Sequence, residues 1–116
     1  MAAVPQIIGL LVSGWMVFFV TFGAAEDGLA RNGLVGIRTR WSMRSDDAWR
    51  ATHETFKPYA VACAVVSVVH ALAIVVTAFV GDSRMVSTAL AICGYACLFG
   101  IGFFGMRAAK RAAEGS

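Results

Sequence analysis

The sequence predicts an all-α membrane protein. Three transmembrane helices are expected, with an amphipathic interfacial helix in the first, cytoplasmic loop. Three observations lead there. The runs Val4–Ala25, Pro58–Gly81 and Met85–Met106 contain no Lys, Arg, Asp or Glu. As helices they reach roughly 33–36 Å at ~1.5 Å per residue, enough to cross a ~30 Å hydrocarbon core. The composition is 59% hydrophobic and 15% charged, more apolar surface than a soluble chain of 116 residues can hide. The basic residues are placed unevenly around the three runs, which gives the orientation.

Arg31, Arg38, Arg40, Arg44, Arg50 and Lys57 lie in the segment 26–57, and Arg107, Lys110 and Arg111 in the tail 107–116. Arg84 alone lies in the short connection between the second and third runs. With three spans, the long loop and the tail share one face, which the excess of basic residues marks as cytoplasmic. The expected location is the bacterial plasma (inner) membrane, with the N-terminus outside and the C-terminus inside. A basic rim against anionic lipid accounts for the net charge of +3 without invoking nucleic acid. Residues 1–116 read as one membrane domain with spans 4–25, 58–80 and 85–106.

The first span carries no ionisable group, and Gly9, Ser13 and Gly14 offer it a small-residue contact face. Because no Lys or Arg precedes it, it reads as a retained span rather than a cleaved signal. The segment that follows turns at Asn32-Gly33 and continues through Gly36-Ile37-Arg38-Thr39-Arg40-Trp41. Ser45-Asp46-Asp47 reads as a helix start, with Ser45 as N-cap and two carboxylates where the helix dipole favours them.

That helix, 45–57, is two-sided. Asp46, Arg50, Glu54 and Lys57 form one face and Ala48, Trp49, Thr52 and Phe56 the other, with His53 at the boundary. The expectation is a helix lying on the membrane surface, with Trp49 and Phe56 in the headgroup region and Trp41 as a second anchor. Pro58 then opens the second span or kinks into it. Ala60, Ala64, Ser67 and Ala71 give that span a small-residue stripe. The third span is given one by Ala89, Cys93 and Cys97, with Gly94, Gly100, Gly102 and Gly105 nearby. The turn Gly81-Asp82-Ser83-Arg84 is short enough to force the second and third helices together.

Asn32, Gly36-Ile37-Arg38-Thr39, Trp41, Ser45-Asp46-Asp47, Trp49 and His53 together resemble the signature of the SdpI family of bacterial membrane proteins. The chain resembles a short form with only the motif-bearing C-terminal part of the longer members. The founding member protects its producing cell from a secreted killing peptide, and as a membrane receptor it captures a transcriptional repressor. The resemblance therefore implies a binding protein. Its ligand would be a peptide toxin, a lipid or a cytoplasmic regulator, and Asn32, Gly36, Arg38, Thr39, Trp41, Asp46, Trp49 and His53 would be its site. The alternative is an accessory structural subunit of a larger membrane complex. Expected partners are the bilayer and a membrane or cytoplasmic protein, with self-association left open.

Individual residues also have simpler readings. Arg38 either grips an acidic group with its guanidinium fork or pins the loop to Asp46 or Asp47. His53 reads as a hydrogen-bonding strut. His70, near the middle of the second span, shares a face with Cys63 and Ser67, and Thr77 and Tyr95 are its candidate partners. Cys63, Cys93 and Cys97 read as small hydrophobes, with no metal or cofactor expected. No nucleophile–base pair, phosphate loop or His-Glu-x-x-His motif occurs, so catalysis is not expected.

Overall fold

A computed structural model describes residues 3–25, 31, 36–81 and 84–115. Those residues form three α-helices and no strand: α1 (Val4–Ala25), α2 (Asp46–Val80) and α3 (Arg84–Glu114). All three are long and apolar enough to cross a membrane. The uncharged runs became helices because a backbone in lipid must satisfy its own hydrogen bonds.

The surface helix expected over 45–57 is not a separate element. It continues through Pro58 into the second span as one helix of 35 residues. Proline lacks an N–H and leaves the Glu54 carbonyl without its helical donor, yet the axis carries on. The expected tail is likewise the last part of α3, helical to Glu114. At ~1.5 Å per residue, α2 and α3 reach roughly 52 Å and 46 Å, well beyond a ~30 Å core. The chain is accordingly elongated, 52 × 23 × 19 Å. The surplus of both helices, the start of α2 and the end of α3, lies at one end of the bundle.

α2 is the central helix. It packs along both α1 and α3, which meet each other little. Its stripe Ala60, Ala64, Ser67 and Ala71 is buried, as expected of a small-residue face. Gly14 of α1 sits directly on it: a Cβ there would lie 2.6 Å from Ser67 Cβ and 2.8 Å from the Cys63 carbonyl oxygen. On the other side a Cβ at Gly105 of α3 would lie 2.6 Å from Phe56 Cε2 and 2.8 Å from Tyr59 Cγ. The contact stripe of α3 is not the expected one. Ser87, Ala91, Gly94, Gly105, Ala109 and Ala113 are its buried residues, while Ala89 and Cys93 face outward. Most large apolar side chains, such as Phe19, Val69, Phe99 and Phe104, point away from the bundle. Lipid is as good a solvent for them as a core, so the small residues are left to make the helix contacts.

Gly14→Ala is expected to lower the thermal midpoint of the detergent-solubilised protein, at a cost of about 1–3 kcal/mol for forcing two helix backbones apart. Gly100→Ala, where an added Cβ meets nothing within 4 Å, is expected to leave the midpoint unchanged. Equal midpoints for the two variants would contradict the close α1–α2 contact.

Candidate functional site

The motif residues gather where α2 and α3 outrun the bilayer. Ser45 caps α2, its hydroxyl accepting from the Ala48 N–H at 3.0 Å. Asp46 and Asp47 follow in the first turn. The Asp46 carboxylate is met by Arg31 Nε at 3.3 Å, and the Arg31 guanidinium also donates to the Met43 carbonyl at 2.8 Å. Arg31 thus pins the loop to the helix, and Arg38 lies exposed beside it. The Asp46 carboxylate is 81% exposed, so this pair adds about 0–1 kcal/mol.

The buried face of residues 46–57 consists of Ala48, Trp49, Thr52, His53 and Phe56. It is covered by protein instead of headgroups. The segment from Gly36 runs over it, and the Ile37 N–H donates to His53 Nε2 at 3.0 Å. His53 Nδ1 lies 2.8 Å from the Trp49 carbonyl oxygen. An N–H only donates and a carbonyl only accepts, so the proton sits on Nδ1 and Nε2 is bare. This stretch of α2 precedes the uncharged span and carries Arg50, Glu54 and Lys57 on its outer face. Burial holds the His53 pKa below its ordinary 6.5, partly opposed by the bond to the Trp49 carbonyl.

The Trp49 and His53 rings lie tilted against each other with centroids 4.3 Å apart. Gly36 lies against both rings with φ 113°, a backbone conformation that side chains resist. A Cβ there would press into the Trp49 ring, 2.9 Å from Cζ2, and lie 3.2 Å from His53 Nε2. Two independent constraints therefore demand glycine.

Ser42, missed in the sequence, is the hub of the following turn and is fully buried. Its hydroxyl donates to the Ile37 carbonyl at 2.5 Å and accepts from the Thr39 N–H at 2.8 Å. Thr39 Oγ1 lies 3.0 Å from the same hydroxyl and accepts from the Ser42 N–H at 3.2 Å. The signal available was the Thr-x-x-Ser spacing, which suits side chain-to-backbone turns. Trp41 is partly buried. It packs with Ile37 against the buried cluster of Phe56, Ala60 and Ala109.

Arg44, also missed, closes the cap by donating to the Ala113 carbonyl at 2.6 Å, in the last turn of α3. That carbonyl is one of four left without an intrahelical donor, and a guanidinium suits the negative end of the helix dipole. Between the loop and the end of α3 lies a groove of about 560 Å³ lined by Arg40, Trp41, Arg44, Lys110 and Glu114.

Of the expected site, Gly36, Thr39, Trp41, Trp49 and His53 are brought together as interlocked parts of this cap. Arg38 and Asp46 lie on its exposed surface. Asn32 lies outside the described residues. His70 is far from the cap, in the middle of the span, with Nδ1 2.9 Å from the Val66 carbonyl of its own helix. Its ring packs against Gly94 of α3, while on the same helix Ser67 and the Cys63 carbonyl lie against Gly14 of α1. The Thr77 hydroxyl bonds its own helix at the Ala73 carbonyl, 2.9 Å away.

These features define a multi-pass membrane protein with a folded polar cap at one end of its helix bundle. The chain belongs to the SdpI/YfhL protein family, whose model matches residues 29–107. The match takes in the loop, all of α2 and α3 as far as Arg107, leaving α1, Lys110 and Glu114 outside it. Comparison with curated proteins and with solved structures gave no match.

Gly36→Ala is expected to release Trp49 from the cap, at a cost on the order of 1–3 kcal/mol. The readout is a red shift in tryptophan fluorescence with helical circular dichroism unchanged. A second expectation concerns pH. With the folded His53 pKa below 6.5, the unfolded cap binds a proton before the folded cap does. The stability that neutral His53 contributes is therefore complete above 6.5 and falls away as the pH drops below it. The denaturant midpoint of the tryptophan signal should fall with acid in the wild type and stay flat in His53→Gln.

Proposed function

We propose that this chain is a binding protein of the bacterial plasma membrane that works without catalysis, its ligand held by a negative charge at the cap. The observation behind this reading is the groove of Arg40, Trp41, Arg44 and Lys110, three cations and an indole around about 560 Å³ with one carboxylate, Glu114. Its place at the end of the bundle, where the helices leave the apolar stretch, puts it at headgroup depth. The phosphate of an anionic lipid is the ligand this chemistry suits: guanidinium forks chelate phosphate oxygens, and an indole sits comfortably at the interface. In this reading the cap is cytoplasmic and the N-terminus outside, because nine of the ten Lys and Arg residues then lie inside.

Membership of the family favours a receptor over an accessory subunit. One observation supports the subunit reading: an apolar groove of about 520 Å³ between α1 and α3, with Ser13, Val17, Leu98, Phe99 and Phe103 among its lining. A helix of a larger complex would fit there as well as lipid chains do. Co-purification of a stoichiometric membrane partner in mild detergent would favour that second reading.

Nanodisc reconstitution tests the first. The double variant Arg40→Gln, Lys110→Gln is expected to lose preference for anionic over zwitterionic lipid, by about fivefold per charge from the ~1 kcal/mol that each basic residue contributes near such a surface. If lipid preference is unchanged while an acidic segment of a cytoplasmic regulator loses binding, the ligand is the regulator. Protection against a peptide toxin that survives both substitutions and also Arg38→Gln would place toxin binding away from the cap. Orientation has its own test: with the native cysteines replaced, Arg40→Cys should react with an impermeant maleimide in opened cells and not in intact ones.

A further inference from the structure

Away from the cap, α2 and α3 bring three soft donors together inside the membrane-spanning stretch. One ligand atom each from His70, Cys93 and Cys97 lies within 4.8 Å of the other two. Cys93 and Cys97 are one helical turn apart, so both thiols project from one side of α3. The third donor comes from the neighbouring helix, and Gly94 is what lets it come close. A Cβ at Gly94 would lie 3.2 Å from His70 Cγ and 3.3 Å from His70 Cβ, so the bare backbone of α3 rests on the imidazole, with Cys93 beside it and Cys97 one turn on.

We propose that His70, Cys93 and Cys97 form an intramembrane site for a thiophilic d10 metal ion, Zn(II) or Cu(I). Thiolate and imidazole are the donors that select these ions. Nδ1 donates to the Val66 carbonyl at 2.9 Å, which leaves Nε2 as the nitrogen with a lone pair for a metal, the division of roles found at metal-bound histidines. Zinc–sulfur and zinc–nitrogen bonds of about 2.3 Å and 2.0–2.1 Å need donors roughly 3.5–3.8 Å apart in a tetrahedral arrangement. The donors, all within 4.8 Å of one another, therefore need to close by no more than about 1 Å on binding, which side-chain torsions supply.

Binding replaces two S–H bonds by two metal–sulfur bonds and releases two protons to water. With Zn(II) the charges of two thiolates and a neutral imidazole sum to zero, the arrangement that low-dielectric surroundings favour. With Cu(I) the site keeps one negative charge but uses three donors without a fourth. At ~1.5 Å per residue, Cys93 and Cys97 lie about 14–20 Å from the Arg84 end of α3, close to the middle of a ~30 Å core.

The test is a metal titration of the whole chain in nanodiscs under reducing conditions. Separate arms contain Zn(II), Cu(I) and, as a spectroscopic reporter for the zinc geometry, Co(II). One equivalent is expected to bind, with a thiolate-to-Co(II) charge-transfer band displaced by Zn(II). If copper is the natural ion, Cu(I) binds in the presence of excess Zn(II). Cys93→Ser, Cys97→Ser and His70→Ala should each weaken binding by more than about tenfold, since loss of even an outer-shell partner costs 10–100-fold. Cys63→Ser, at a buried thiol on the α1 side, should bind as the wild type does. The three ligand variants should keep wild-type helical circular dichroism, which separates loss of a ligand from loss of the fold. Absence of the charge-transfer band together with no Cu(I) uptake would overturn the proposal, as would equal weakening by Cys63→Ser or indifference to His70→Ala.

Discussion

The structure depends on how closely α2 approaches its two neighbours. Lipid offers no reward for burying Leu or Phe between helices, so association rests on backbone proximity and dispersion contacts. Gly14 on one side and Gly105 on the other are points where a single methyl group would collide with α2, and at Gly94 it would meet Leu10 of α1 at 2.8 Å and press on His70 of α2 at 3.2 Å. The large apolar side chains have been moved to the outside, where they meet lipid chains. That inversion of a soluble core explains why alanine, serine and glycine dominate the buried positions.

The same helix pair builds the polar end. Because α2 and α3 run past the apolar stretch together, the last turns of α3 lie beside the first turns of α2, and the loop is laid across them. Desolvation then governs the chemistry. A buried histidine stays neutral, and its two nitrogens are used as one donor and one acceptor, joining the Ile37 amide to the Trp49 carbonyl. Ser42 does the same for the turn at Thr39, while Arg44 only donates, to the end of α3. Buried polar groups of this cap are matched to partners, as the free energy of burial requires.

This changes what the sequence motif means. Gly36, Thr39, Trp49 and His53 are the residues that make the cap fold. The exposed charged side chains lie around them: Arg40, Lys110 and Glu114 lining the groove, and Arg38 on the surface.

Three spans, the bounds Val4–Ala25 of the first, the end of α2 at Val80 and the start of α3 near Met85, and the N-cap at Ser45 were legible in the sequence. Each follows from a local rule: charge exclusion from hydrocarbon, or the need of a helix end for an acceptor. The two-sided pattern of residues 46–57 was legible too, but not what covers its apolar face. Periodicity reports that Trp49 and Phe56 leave water; lipid and protein look the same to it. The α3 stripe was misplaced for a related reason, since Gly94, Cys93 and Cys97 are all small and only the position of α2 decides which of them faces inward. Contacts between residues far apart in the chain were beyond reach: Arg44 with Ala113, Ile37 with His53, and His70 with the two cysteines of α3. The chain by itself fixes which segments enter the membrane, because transfer free energy is summed residue by residue. Which side chains meet there depends on the rotation and offset of whole helices, and those are set by packing.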